Sequence, residues 1–274
     1  MTDVPMTTLN DGVRIPQLGF GTYKLTEAAA EPAVLEALRL GYRHIDTAAM
    51  YDNERGVGRA LAASGLPRDR LFVTTKLWND MHAPDRARVG LETSLERLGL
   101  DVIDLYLIHW PAPLAYGDEY VRAWDALQDF RSEGLVRSIG VCNFNPEHLD
   151  RLRGATPSVD QVELHPWLAQ PGLCRELARR GVAVEAWSPL GRARVLGEPV
   201  ILDVAAQVDR TPAQVVLRWH LQQGHIVIPK SAHPQRMAEN IDVFDFTLSD
   251  AQMAAITGLD RAERTGADPV TATF

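Results

Sequence analysis

The stretch "RHIDTAAMYDNERGVG", Arg43 to Gly58, opens as an apolar strand and closes as a polar helix. An aspartate, Asp46, stands at the strand end, and a phenol, Tyr51, follows five residues later. The strand-then-helix pattern recurs along the chain. Short β-branched runs are "QLGFGTY" (17–23), "YRHIDTA" (42–48), "LFVTTKL" (71–77), "VIDLYLIHW" (102–110), "VRSIGVCNF" (136–144), "SVDQVELHP" (158–166), "VAVEAWSPL" (182–190) and "HIVIPKS" (225–231). Helical patterns such as "EPAVLEALRL", "DRARVGLETSLERLG" and "PGLCRELARRG" lie between them, and many end in glycine, as helix C-termini prefer. Alternation of this kind predicts parallel strands joined by crossovers. Eight units over 274 residues allow about 34 each, the requirement of a closed barrel. The expected fold is therefore α/β: a (β/α)8 TIM barrel, residues 1–274 as one domain. An N-terminal β-hairpin is read from "LNDGVRIPQLG" with Asp-Gly as its turn, and extra helices are expected at the C-terminal end.

The structural rival is an open doubly wound sheet, which needs a glycine-rich turn directly after an early strand. The nearest match, "GVGRAL" (56–61), follows no strand and sits inside a helical pattern. Gly56 and Gly58 read instead as helix-surface or packing glycines, so a dinucleotide, if bound, is not bound in the Rossmann manner.

Composition narrows the function classes. Hydrophobic residues make up 46% and charged residues 23%, enough for a large core. The net charge of −8 attracts neither nucleic acid nor an anionic membrane. Two cysteines without metal spacing, Cys142 and Cys174, suit a reduced, cytoplasmic protein. The opening "MTDVPMTTLNDG" has no secretory pattern, and no apolar run is long enough to span a membrane. The histidines show no ligand spacing, so no metal is expected.

A strand buried on both faces should be almost wholly apolar. Here strand ends carry Asp46, Lys76, His109, Asn143, Gln161, Glu163 and Lys230. In a barrel such ends share the face where active sites are built. Asp46 would keep a desolvated Lys76 charged, and Lys76 would in turn lower the Tyr51 phenol from about 10 toward neutrality. A phenol so tuned delivers a proton near pH 7, while His109 orients a carbonyl oxygen. Taken singly, each residue has an ordinary reading: an ion pair, a packed tyrosine, a satisfied histidine. The four at successive strand ends form a set suited to carbonyl chemistry.

At these residues the sequence resembles the aldo-keto reductase superfamily. "GYRHIDTAAMYDNERGVG", "TTKLW", "DLYLIHWP", "RSIGVCNF", "QVELHP" and "IPKS" match its blocks in order, from about Gly19 to Leu259, with a look of the bacterial 2,5-diketo-D-gluconate reductase type. The resemblance implies a (β/α)8 barrel carrying NADPH across its C-terminal mouth and a reversible reduction of aldehydes or ketones. Tyr51 would be the proton donor, Asp46 and Lys76 its tuners, and His109 the orienting residue. Cys142 (where relatives often have serine), Asn143 and Gln161 would touch the nicotinamide carboxamide, and Trp187 would stack on its ring. Gly21, Thr22, Asp46, Ser188, Leu190 and Arg192 would line the cofactor, the loop Ser188 to Gly197 covering the pyrophosphate with charge from Arg192 and Arg194.

The segment "PKSAHPQRMAEN" favours NADPH over NADH. A helix start near Pro234, with Lys230, Ser231 and Arg236 converging, suits a 2′-phosphate. Glu239 and Asn240 resemble adenine contacts. Tyr23, Trp78 and Trp110 follow strand ends and could wall a pocket for small dicarbonyl, keto-sugar or aldehyde substrates. The tail after Leu259 would either shape that pocket or be disordered in its last residues. The resemblance implies a monomer. Two rivals remain: a Schiff-base aldolase using Lys76, which a neighbouring Asp46 discourages, and a non-catalytic protein on the same scaffold.

Overall fold

The computed structural model describes residues 4–274; Met1–Asp3, the start of the segment read as lacking a secretory pattern, lie outside them. Strands β1 (Met6–Thr8) and β2 (Arg14–Pro16) form the N-terminal antiparallel hairpin, in the register Thr7↔Ile15. Eight parallel strands follow in sequence order: β3 (Phe20–Gly21), β4 (His44–Asp46), β5 (Phe72–Leu77), β6 (Ile103–Ile108), β7 (Val136–Cys142), β8 (Val159–Glu163), β9 (Ala183–Trp187) and β10 (Ile226–Val227). The sheet closes on itself. Gly19 N donates to Val227 O at 2.8 Å, Val227 N to Gln17 O at 3.0 Å, and Leu18 bridges Val227 in parallel. The expected (β/α)8 barrel is thus the fold. The last strand is shorter than "HIVIPKS" suggests, because Pro229 has no N–H to continue a ladder.

The helices are α1 (Glu27–Leu40), α2 (Glu54–Ala63), α3 (Pro84–Leu98), α4 (Pro113–Tyr116), α5 (Glu119–Ser132), α6 (Pro146–Leu149), α7 (Pro171–Arg179), α8 (Pro199–Val208), α9 (Pro212–Gln222), α10 (Pro234–Ile241) and α11 (Asp250–Thr257). Their ends follow the sequence: Thr26 caps α1 through Ala29 N, and Thr211 and Gln214 form a reciprocal capping box on α9. Gly58 packs α2 against the end of α3; a Cβ there would sit 2.7 Å from the Arg97 and Leu98 carbonyl oxygens. Gly56 likewise faces the Glu27 carbonyl, so both are packing glycines rather than a phosphate turn.

The barrel interior is divided by chemistry. At the ends where the strands begin, Phe72, Leu105, Val159 and Ile226 pack with Leu9 and Ile15, so the hairpin plugs that end with apolar side chains. At the ends where the strands finish, Asp46, Lys76, Gln161 and Glu163 are buried polar groups. The polar end holds the site.

Candidate active site

Lys76, near the end of β5, is fully buried, yet its ammonium has three partners. Nζ donates to Asp46 Oδ1 at 2.8 Å, Asp46 Oδ2 at 2.7 Å and Thr47 O at 2.7 Å. Asp46 ends β4, and its carbonyl accepts from both the backbone N–H and the hydroxyl of Thr22 at 3.0 Å. Tyr51 sits in a single 3₁₀ turn, Ala49–Tyr51, beyond that strand, with Lys76 Nζ 5.2 Å from its ring centre. The His109 ring meets Tyr51 edge-on at 5.6 Å and Trp78 at 5.1 Å, while Tyr23 lies 5.1 Å from Tyr51 on another side. The four expected catalytic residues therefore converge.

Their electrostatics follow from burial and one charge pair. Burial works against the Lys76 charge, but the Asp46 carboxylate overrides it and holds the ammonium above the ordinary lysine range. Burial pushes Asp46 up, opposed by Lys76 and by an N–H from Gln161. For Tyr51, burial raises the phenol and outweighs the Lys76 ammonium, which pulls it down; Asp46 adds a further push upward. The expected lowering toward neutrality is thus not the net direction, because dehydrating a phenolate costs more than one shared ammonium returns. The phenol is protonated at neutral pH, as a proton donor must be. Burial, then the Lys76 charge, push His109 well below the usual imidazole value, so it is neutral.

From this centre a groove of about 690 Å³ runs across the mouth. It is lined by Gly21, Tyr23, Asp46, Trp187, Ser188, Leu190, Arg192, Lys230, Ser231, Arg236, Glu239 and Asn240, and also by Lys24, which sequence reasoning missed. At its far end α10 begins without a side-chain cap, leaving its first N–H groups open beside Lys230 and Arg236. Four further expected cofactor residues do not line this groove but bond or pack around it. Thr22 holds the Asp46 backbone. Asn143 donates to His109 O at 3.0 Å and accepts from Trp187 Nε1 at 2.8 Å, so it fixes two site residues. Gln161 spends its amide on Asp46 and Glu185. Cys142 is fully buried beside Leu105, Leu107 and Val159, where burial raises its thiol well above the usual range. Arg194 also departs from expectation: it pairs with Glu263 at 2.8 Å, beside the Trp167 ring, and does not line the groove.

The aromatic wall is completed by the tail. The Phe274 ring stacks on Trp78 (6.0 Å between centres, 7° between planes) and meets Trp110 edge-on at 5.2 Å, and Asn79 Nδ2 donates to Phe274 O at 2.7 Å. Upstream, buried Glu163 accepts from Thr265 N at 2.7 Å, Thr265 Oγ1 at 2.6 Å and Gly266 N at 3.1 Å. Gly266 lies so close to the Trp187 indole that a Cβ would collide with it. The tail thus packs against the aromatic residues of the mouth.

The family model described as Aldo/keto reductase family matches residues 17–261. The chain belongs to the aldo/keto reductase family. It is 51% identical over 275 residues to a methylglyoxal reductase DkgA of Yersinia pestis and 50% identical over 273 residues to an aldo-keto reductase of Mycolicibacterium smegmatis, covering 98% of both chains each time. Among solved structures, a mutant of Gox0644 in complex with NADPH superposes with a TM-score of 0.95 at 44% identity, covering all of both chains.

Within this aldo/keto reductase fold, several working residues escaped sequence reasoning. Glu163 was visible as a polar strand end, but nothing tied it to residues a hundred positions away. Glu185 is an ionisable residue inside an apolar run, a signal that could have marked it. Asn79 and Phe274 left no local signal. No helix among the described residues is long and apolar enough to cross a membrane, and no group of three or more His, Cys, Asp or Glu there could hold a metal ion.

Proposed function

We propose that this chain reduces aldehydes and ketones to alcohols, reversibly, with NADPH as reductant and Tyr51 as proton donor. One observation carries the reading: an ammonium pinned by Asp46 stands 5.2 Å from the Tyr51 ring, at the inner end of a groove whose far end is cationic.

The residues fit the cofactor. The uncapped start of α10, with Lys230, Ser231 and Arg236, would hold a 2′-phosphate. Arg192 and Lys24 would face the pyrophosphate, and Trp187, fixed by Asn143, would support the nicotinamide. Bound NADPH supplies the hydride. The chain's own part is to orient and protonate. Neutral His109 hydrogen-bonds the carbonyl oxygen, Tyr51 gives that oxygen its proton, and Lys76 stabilises the phenolate left behind. Tyr23, Trp78, Trp110 and the tail exclude water around the reacting carbon.

The substrates are small dicarbonyls, keto-sugars or simple aldehydes; two DkgA relatives named methylglyoxal reductase, at 51% and 47% identity, support this class. The protein works as a cytoplasmic monomer, residues 1–274 acting as one domain. The test is loss of NADPH absorbance with methylglyoxal and a panel of aldehydes, repeated with NADH. Turnover favouring NADPH is expected. NADPH binding without turnover of any carbonyl would overturn the proposal.

A further inference from the structure

The Asp46–Lys76 pair rests on a second carboxyl that the reaction as described does not use. Glu185, on β9, is wholly buried inside the barrel. It is in register with Gln161 on β8, and Gln161 with Cys142 on β7, so the three side chains form one row below the mouth. Gln161 Nε2 donates to Asp46 Oδ2 at 2.8 Å and to Glu185 Oε2 at 3.0 Å. One amide nitrogen thus spans two carboxyls, and Lys76 is the ammonium that faces both.

Two buried carboxylates sharing one counter-ion do not both ionise readily. Burial, reinforced by the Asp46 charge, pushes Glu185 up to about 8, with Gln161 and Lys76 pulling the other way. The groups facing Glu185 are Asp46 and His44 from β4, Lys76 from β5, Cys142 from β7 and Gln161 from β8. His44 Nε2 lies 3.6 Å from Glu185 Oε1 and 3.0 Å from Thr74 Oγ1; burial and Lys76 push His44 down to about 3. Burial holds the Cys142 thiol far above neutrality. Asp46 takes both carboxylate contacts to Lys76 while Glu185 Oε1 accepts no hydrogen bond, so the proton this cluster takes up near pH 8 sits on Glu185.

We propose that Glu185 is a positioning residue for the proton-donating step: through the Gln161 amide it holds Asp46 against Lys76 and sets the net charge beneath Tyr51. The inference rests on the reductase reading above. With Glu185 neutral, the centre holds one carboxylate and one ammonium, balanced under the phenol. With Glu185 ionised, Lys76 is shared between two carboxylates, and the added negative charge makes the Tyr51 phenol a poorer acid.

The test is the pH profile of kcat for carbonyl reduction at saturating NADPH, wild type against Glu185→Gln. The wild-type rate should fall about tenfold between pH 7 and pH 9, following the protonated fraction of a group near 8. Glu185→Gln keeps an uncharged partner for Gln161 and should change less than about twofold over that range. Superposable profiles would overturn the proposal and assign the limb to Tyr51. Absence of any wild-type turnover would instead sink the reductase reading. If the variant fails to fold, the infrared carbonyl band of a protonated carboxyl decides on the wild-type protein: it should be present at pH 7 and bleach through pH 8. A wild-type protein with no carboxyl band that bleaches through pH 8 would contradict the proposal; a band that persists belongs to buried Asp160, whose acid burial also pushes well up.

Discussion

The charged centre and the aromatic wall lie side by side at the same mouth but are built differently. Asp46, Lys76, Gln161 and Glu185 project from β4, β5, β8 and β9, whose backbone ladders fix their spacing, and every one is buried and hydrogen-bonded. Trp78, Trp110 and Phe274 come from loops and from the tail; their rings are held by contacts with one another, Asn79 bonds the Phe274 carbonyl, and the tail is anchored further back, at Thr265 and Gly266, by Glu163. The Asp46–Lys76 geometry is thus held by strand backbones and by buried hydrogen bonds. The aromatic wall, proposed to face the substrate, is adjustable because it is carried by loops and the tail rather than by strand ladders.

That contrast orders the expected effects. Tyr51→Phe removes the donor from the rigid centre; kcat for carbonyl reduction should fall by about 10²–10⁴-fold while NADPH affinity, read by fluorescence quenching, changes only a few-fold. Arg236→Ala lies at the far end of the groove, and loss of a charge-assisted contact of about 1.5–3 kcal/mol should weaken NADPH about 10- to 100-fold but leave NADH unchanged. Equal losses for both cofactors would put the phosphate elsewhere. Phe274→Ala touches only the adjustable wall; an aromatic pair worth about 0.5–1.5 kcal/mol predicts a KM raised a few-fold with kcat unchanged. A kcat loss as deep as that of Tyr51→Phe would erase the distinction between the two regions.

The same contrast explains what the sequence made legible. All eight barrel strands were readable from alternation, because parallel strands buried on both faces must be apolar and their crossovers long. Asp46, Lys76 and His109 stood out because ionisable groups interrupt that pattern at strand ends. The tail did not: Phe274 finds Trp78 across nearly 200 positions of chain, and no local rule connects a polar tail to a loop tryptophan. Gln161 was recognised, but its bonds to Asp46 and Glu185 were not, since only the register of β8 and β9 brings its amide nitrogen to Glu185. The Tyr51 phenol was placed correctly while its direction of shift was not, because sequence displays the nearby charges but not the depth of burial that outweighs them.

The central claim is that the Lys76 ammonium, fixed by Asp46, and the Tyr51 phenol act as one proton-donating unit. A double-mutant cycle on kcat/KM for carbonyl reduction, using Tyr51→Phe, Lys76→Met and the pair, tests it most directly. Groups that work as a unit lose function together, so the double variant should be no slower than the slower single variant. If the two losses multiply instead, Lys76 and Tyr51 act independently, and the account of this site is wrong.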